Sequence, residues 1–166
     1  MTAQFRYLAI GLSALAMAMP AGAQRSDDQI APQSVELERQ AEAALAAGKF
    51  DTAEDLLETA LAVDPRNRFA YIDIARVAQR QQWFGKAIKM TNKALELDPN
   101  DADAIAVQGE AMVQLGATAR AQDNLKKLQT LCGANSCPQI AQLQAAITRG
   151  PALAEAKPAP EVTKKN

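Results

Sequence analysis

The sequence predicts an all-α solenoid, built of about three helical hairpins and a C-terminal capping helix. The main observation is a 34-residue internal repeat, in which AEDLLETALAVDP, beginning at Ala53, is echoed by AIKMTNKALELDP, beginning at Ala87. Self-similarity at such a period is typical of hairpins that stack because none can bury its apolar face alone. The same offset separates aromatic, apolar and helix-terminating residues: Phe50 and Phe84, Ala60 and Ala94, Leu61 and Leu95, Asp64 and Asp98, Pro65 and Pro99.

Small residues recur where the paired helices of each hairpin would cross closely. Gly109 stands where Ala41 and Ala75 stand in the first two repeats, and the third repeat is otherwise more degenerate. Larger side chains at these positions would overpack the crossings, so Ala or Gly there favours close helix pairs. The predicted crossing residues are Ala41, Ala53, Ala60, Ala75, Ala87, Ala94, Gly109 and Ala121.

Residues 1–23 have the three-part design of a secretory signal peptide. A single cation, Arg6, precedes the mostly apolar run Leu8–Met19, and small residues follow at 21–23. We therefore expect cleavage after Ala23 and a periplasmic location. The alternative is an uncleaved anchor, for which the run is short because a spanning helix needs ~20 residues. No later run is apolar enough to cross a membrane, so no membrane insertion is expected after cleavage.

The chain after the signal divides at the repeat boundaries. The predicted segments are a linker at 24–33, repeats at 34–67, 68–101 and 102–135, a capping helix within 136–149 and a disordered Ala/Pro/Lys tail at 150–166. Ser34 and Asp51 are the expected N-caps in repeat one, because their side chains accept bonds from free helical N–H groups. The predicted helices are Ser34–Ala47, Thr52–Val63, Arg68–Gln81, Gly85–Leu97 and Pro138–Ile147.

Composition argues against catalysis and against nucleic-acid binding. The chain has no His, which is the commonest general base and metal ligand, and its formal net charge is −1. We therefore expect no cofactor and no metal. The only cysteines, Cys132 and Cys137, predict a disulfide in an exported chain, and it would replace proline as the terminator of repeat three. The alternative is a redox pair, which would favour a C-x-x-C spacing that is absent.

The 34-residue pattern resembles the tetratricopeptide repeat family over about Ser34–Asn135. The resemblance implies a right-handed solenoid whose first helices line a concave groove that grips an extended peptide or a partner helix. It implies no enzymatic activity. The lining positions that it implies here are Val35, Glu38, Glu42 and Leu45 in repeat one, Phe69, Ile72, Arg76, Gln79 and Arg80 in repeat two, and Asp103, Ala106, Glu110, Val113 and Gln114 in repeat three.

The first two repeats differ in the sign of their net charge. Residues 24–65 carry three cations and ten carboxylates, whereas residues 66–100 carry seven cations and three carboxylates. One interpretation is solubility with salt bridges between repeats; the other is a polarised groove with an acidic end and a basic middle, in which Arg76 and Arg80 are the cations. Some family members capture a terminal carboxylate with Lys and Asn, and Glu38 and Glu42 occupy two of those places here.

Three functions follow as hypotheses, and the first is preferred. It is a non-enzymatic periplasmic scaffold, monomeric or weakly oligomeric, that binds a protein or peptide of the cell envelope. The others are a self-associating structural component and, less favoured, a redox factor using Cys132 and Cys137. Trp83, in the turn of repeat two, is expected to pack beneath its hairpin, with an exposed anchor as the alternative.

Overall fold

The computed structural model describes residues 29–133 and 137–151, and in these ranges it contains seven α-helices and no strand. Helices α1 and α2, α3 and α4, and α5 and α6 pair as consecutive hairpins, and α7 packs on α5 and α6. The all-α repeat prediction is confirmed. The predicted signal peptide and most of the predicted tail lie outside the described residues. The helices are α1 Pro32–Ala46, α2 Phe50–Val63, α3 Arg68–Arg80, α4 Phe84–Leu97, α5 Ala102–Gln114, α6 Thr118–Cys132 and α7 Pro138–Arg149.

The turn inside each hairpin uses a left-handed residue at one fixed repeat position. Gly48 and Gly116 have φ of +72° and +75°, and Gln82 holds the equivalent place with φ of +63°. Glycine adopts this conformation at little cost, whereas a side chain with a Cβ is strained there. The second hairpin therefore keeps its turn geometry despite an unfavourable residue.

The N-cap predictions for repeat one are wrong. Helix α1 begins at Pro32 with Ala31 as N-cap, and α2 begins at Phe50 with Lys49 as N-cap rather than Asp51. Proline fits the first turn of α1 because N–H groups in a first turn have no acceptor within the helix, so the N–H that proline lacks costs no hydrogen bond. The Ala31 N–H is instead fixed across the hairpin, since it donates to Asp64 Oδ2 at 2.9 Å. The predicted linker therefore ends earlier than residue 33.

Ser34 serves as a buried link between helices. Its hydroxyl donates to the Ala60 carbonyl at 2.8 Å and accepts from Asn67 Nδ2 at 3.0 Å. Asn67 also caps α3 by accepting from the Ala70 N–H at 3.3 Å. One network thus joins α1, α2 and the start of the second repeat, and every polar group in it has a partner, as buried polar groups require.

The core is a row of apolar clusters that continues from one hairpin to the next. Ala53, Ala60, Ala87, Ala94 and Ala121 are all fully buried, as expected for close helix crossings. Gly109 lies in α5 against Leu143 of α7, where an added Cβ would come within 2.7 Å of Leu143 Cδ1. The small residue at 109 therefore lets the capping helix approach α5.

The C-terminal end of the array is held by a disulfide and a capping helix. Cys132 and Cys137 are bonded, with their Cα atoms 5.8 Å apart, and Gly133, the C-cap of α6, has a φ of +68°. Helix α7 buries Ile140 and Leu143 against the last hairpin and runs two residues beyond the predicted end. Among the described residues, no helix is long and apolar enough to span a membrane.

Candidate functional site

The predicted groove residues come from the first helices of the hairpins, α1, α3 and α5. Helix α3 contacts both α1 and α5, so the three helices form one surface. Two open pockets lie along it. The acidic pocket has a volume of about 510 Å³ and is lined by Ile30, Val35, Glu38, Glu42, Asn67, Phe69, Asp73, Arg76 and Asp103. The mixed pocket has a volume of about 360 Å³ and is lined by Gln79, Arg80, Gln82, Phe84, Glu110, Gln114, Ala146 and Arg149.

Three of the predicted lining residues are buried in the core instead. Ile72 is 1% exposed, and Ala106 and Val113 are equally inaccessible. Leu45 packs against the core cluster between the first two hairpins, which contains Leu57 and Val77. These residues lie on the helix faces that meet neighbouring hairpins, so their side chains do not reach the groove surface. The assignment of Ile72 as a contact residue is therefore wrong for this structure.

The acidic pocket brings carboxylates from three helices around a single arginine. The carboxylate oxygens of Glu38, Glu42 and Asp73 lie within 4.8 Å of one another. Arg76 Nη1 lies 2.7 Å from Asp73 Oδ1, and Arg76 Nη2 lies 3.5 Å from Asp103 Oδ1. Within the part of the chain that the structure describes, neither glutamate has an ion-pair partner. The pocket is therefore negative overall.

Burial and crowding shift the titration of these groups. Burial raises the pKa of the Asp73 carboxyl, against the opposing hydrogen bond and charge of Arg76. Burial also raises the pKa of Glu38, and the charges of Asp73 and Glu42 act in the same direction. The positive charge of the Arg76 guanidinium therefore does not balance the negative charge of the carboxylates around it. The glutamates and Asp73 also offer the hard oxygen ligands that a divalent cation prefers.

An apolar rim borders the acidic pocket. Val35 and Phe69 occupy equivalent positions in successive repeats and remain 45% and 41% exposed. The Arg68 guanidinium carbon lies 4.1 Å from the centroid of the Phe69 ring, which is cation–π geometry. The pocket therefore combines negative charge with exposed apolar surface.

The mixed pocket contains cations from α3 and from the capping helix. Arg80 is exposed, and its guanidinium carbon lies 5.4 Å from the centroid of the Phe50 ring. Arg149, the last residue of α7, lines the same pocket. Gln79 is fixed by a 2.9 Å bond from its Nε2 to the Val107 carbonyl. Burial raises the pKa of Glu110, against hydrogen bonds from Gln142 and Gln79.

The predicted basic middle of the groove needs correction, because Arg76 belongs to the acidic pocket. Positive charge at the surface instead comes from Arg80 and Arg149. Salt bridges between repeats are also present, since Lys86 pairs with Glu54 and Arg76 reaches Asp103. The charge pattern therefore provides salt bridges between repeats and also leaves a groove whose charge differs from one pocket to the other.

Trp83 does not pack beneath its hairpin. Its side chain is 52% exposed, and the Lys86 Nζ lies 5.4 Å from the ring centroid. The residue is the N-cap of α4, outside the first turn, and the equivalent Lys49 is likewise exposed. The turn position that Trp83 shares with Lys49 therefore faces solvent in both hairpins.

Comparison with known proteins identifies the repeat. Residues 70–101 match the family model described as tetratricopeptide repeat. The array has the tetratricopeptide repeat fold. The chain is similar to the Sgt2 TPR domain from Aspergillus fumigatus (TM-score 0.65, 22% identity, covering 82% of this chain and 92% of that one) and to the Arabidopsis OM64 TPR domain (TM-score 0.63, 20% identity, covering 70% and 93%).

Two further matches extend the comparison of the tetratricopeptide array. The first TPR of Spaghetti (RPAP3), bound to the HSP90 peptide SRMEEVD, is similar with a TM-score of 0.64 and 22% identity, covering 75% of this chain and 97% of that one. Mouse (Mus musculus) tetratricopeptide repeat protein 28 is 37% identical in an alignment of 122 residues that covers 66% of this chain. The chain spans 5% of that relative's length. The tetratricopeptide fold is generally a protein-interaction scaffold.

Sequence reasoning missed three residues that line the two pockets, namely Asn67, Gln82 and Arg149. Asn67 follows Asp64-Pro65 by two residues, as Asp101 follows Asp98-Pro99, and both cap the next helix. That shared spacing could have been read from the repeat. Gln82 could have been found in the same way, by its offset from Gly48. Arg149 carries no such signal, because it reaches the groove only through the packing of α7 on α5.

Proposed function

We propose that this chain is a non-enzymatic tetratricopeptide module that binds a segment of a partner protein in the groove formed by α1, α3 and α5. The observation that carries the proposal is the pair of open pockets along this one surface, lined by charged and apolar side chains that the fold leaves exposed. Pockets of a few hundred Å³ suit individual side chains of an extended or helical segment. Structures of similar fold hold short peptides, which supports this use of the groove.

We further propose that the module acts in the bacterial periplasm on an envelope protein. The proposal rests on the signal-like residues 1–23 and on the Cys132–Cys137 disulfide, since disulfides persist in oxidising compartments. Mass spectrometry of the protein from cell fractions tests it. A periplasmic chain that begins at Gln24 supports the proposal, and a cytoplasmic chain that retains Met1 contradicts it.

Peptide selection followed by mapping tests the groove. Peptides selected from a random library on the chain beginning at Gln24 would be titrated against ¹⁵N-labelled protein. We expect the amide shifts of α1, α3 and α5 to change. Arg80→Glu should change the affinity for the selected peptides, whereas the matched control Lys89→Glu, an exposed cation on α4 outside both pockets, should leave it unchanged. Shifts confined to α2, α4 and α6, or failure to select any peptide, would exclude the groove as the binding site.

A further inference from the structure

We infer that the acidic pocket recognises a lysine or arginine side chain of the bound segment, so that the module selects basic peptides and rejects acidic carboxyl-terminal ones. The inference rests on the proposed groove function and specifies the chemistry of its partner. It is carried by the lining of one pocket, in which charge, depth and apolar surface all suit the same type of side chain.

The charge of the pocket favours an additional cation. Asp73 is 3% exposed at its side chain and lies at the base, where Arg76 already binds it. Glu38 and Glu42 stand one helical turn apart on α1, with oxygens within 4.8 Å of those of Asp73, and have no ion-pair partner among the described residues. A cation placed between the two glutamates would relieve the repulsion among these carboxylates.

The rim of the pocket suits the aliphatic part of such a side chain. Long cationic side chains bury their methylene stems on apolar surface while the charged group stays at a polar site. Val35 and Phe69 supply that surface beside the glutamates, and Arg68 shows the arrangement within the chain by lying 4.1 Å from the Phe69 ring. A small metal ion would use the carboxylates but not this rim, so the rim favours a side chain as the ligand.

The same charges oppose the peptides held by structures of similar fold. The peptide SRMEEVD ends in two glutamates, a valine and an aspartate, and SGPTIEEVD ends in the same way. Glu38 and Glu42 line the groove of this chain, and like charges across an interface suppress binding. An acidic residue of the ligand can instead be placed near Arg80 and Arg149 in the mixed pocket.

Two matched peptides test the inference. Fluorescein-labelled SRMEEVD, with a free carboxylate, and its charge-reversed counterpart SEMKKVK, with an amidated end, would be titrated against the chain beginning at Gln24 by fluorescence anisotropy. The buffer would be of low ionic strength with EDTA, which keeps divalent cations off the carboxylates. We expect SEMKKVK to bind at least about tenfold tighter than SRMEEVD. Equal binding, tighter binding of SRMEEVD, or no binding of SEMKKVK at about 1 mM would overturn the inference.

Isosteric variants assign the effect to the pocket. Glu38→Gln combined with Glu42→Gln should weaken SEMKKVK about tenfold, with the fold checked by circular dichroism. Asp55→Asn combined with Glu58→Gln removes the same charge from exposed positions of α2 and should change the affinity by less than about twofold. Equal losses in both double variants would indicate only long-range attraction by net charge and would also overturn the inference.

The pH dependence of binding gives a second measurement. Glu38 and Glu42 face the pocket from α1, Asp73 and Arg76 from α3, and Asp103 from α5. Burial raises the pKa of the Glu38 and Asp73 carboxyls, so these two groups lose their charge as the pH falls while the peptide lysines keep theirs. The affinity for SEMKKVK should therefore decrease. The Glu38→Gln, Glu42→Gln chain should show a smaller decrease, and an identical decrease would count against the pocket.

The failure of the inference can be told apart from the failure of the groove proposal. If library-selected peptides shift the amides of α1, α3 and α5 but are acidic and insensitive to Glu38→Gln with Glu42→Gln, the groove function stands and the inference is wrong. If no selected peptide maps to these helices, the groove proposal itself is wrong.

Discussion

Gly109 allows the capping helix α7 to pack closely on α5, and Gly109→Ala is the sharpest test of this packing. A Cβ at 109 would lie 2.7 Å and 2.8 Å from the two methyl carbons of Leu143 and 3.3 Å from its Cγ. Leu143 is fully buried within the last core cluster, so its side chain cannot move into solvent. The substitution should therefore displace α7 from α5, and with it the Arg149 side of the mixed pocket.

The magnitude follows from two opposing effects. Overpacking a closed core costs about 1–3 kcal/mol, whereas replacing a helical glycine by alanine contributes up to about 1 kcal/mol of stability. The net change for Gly109→Ala is therefore a loss of about 0–3 kcal/mol. Gly85→Ala is the matched control, because Gly85 lies in the first turn of α4 and an added Cβ there would meet nothing within 4 Å. The control should gain up to about 1 kcal/mol.

Urea denaturation followed by far-ultraviolet circular dichroism measures both variants. We expect Gly109→Ala to be about 1–3 kcal/mol less stable than Gly85→Ala. Both substitutions increase helix propensity, but only Gly109→Ala overpacks the core. In a Leu143→Ala background the clash is removed, so Gly109→Ala should become stabilising there. The reasoning is refuted if both alanine variants stabilise the unaltered chain equally.

Four other predictions concern the turns, the core and the ends of the array. Gln82→Gly should stabilise the chain by about 1 kcal/mol, because it relieves a left-handed side chain; an unchanged melting temperature would contradict this. Ala87→Leu should cost about 1–3 kcal/mol by overpacking a fully buried crossing, which calorimetry would measure. Replacing Cys132 and Cys137 together by Ser should cost about 2 kcal/mol, and a melting temperature that does not respond to reductant would argue against it. The hydrogen bond of Arg66 lowers the pKa of Asp64 to about 2. The unaltered chain should therefore be about 1–2 kcal/mol more stable than Asp64→Asn above about pH 4. In acid titrations this difference in unfolding free energy should disappear as the pH falls through about 2.

The repeat pattern alone was enough to predict the hairpins and their order. The 34-residue offset, the Asp-Pro terminators and the buried alanines are local or nearest-neighbour features, and each hairpin packs mainly on the next. Stability in such an array comes from contacts between adjacent units, so the sequence carries the information in short stretches. Helix α4, for example, ends at Leu97 as predicted, because the residue before Pro99 is held out of helical space.

The chemistry of the groove was decided by the tertiary structure. Whether Ile72 is core or surface depends on how α3 lies against its neighbours, which periodicity within one helix does not fix. Arg76 looked like a free groove cation in the sequence, but it is bound by Asp73 and by Asp103, which a different repeat supplies. Arg149 enters the mixed pocket only because Gly109 lets α7 pack closely on α5. The sequence by itself thus determined the stack, since its contacts are short in range, and only the packed structure determined the sign of charge along the groove, since that charge is assembled from helices distant in the chain.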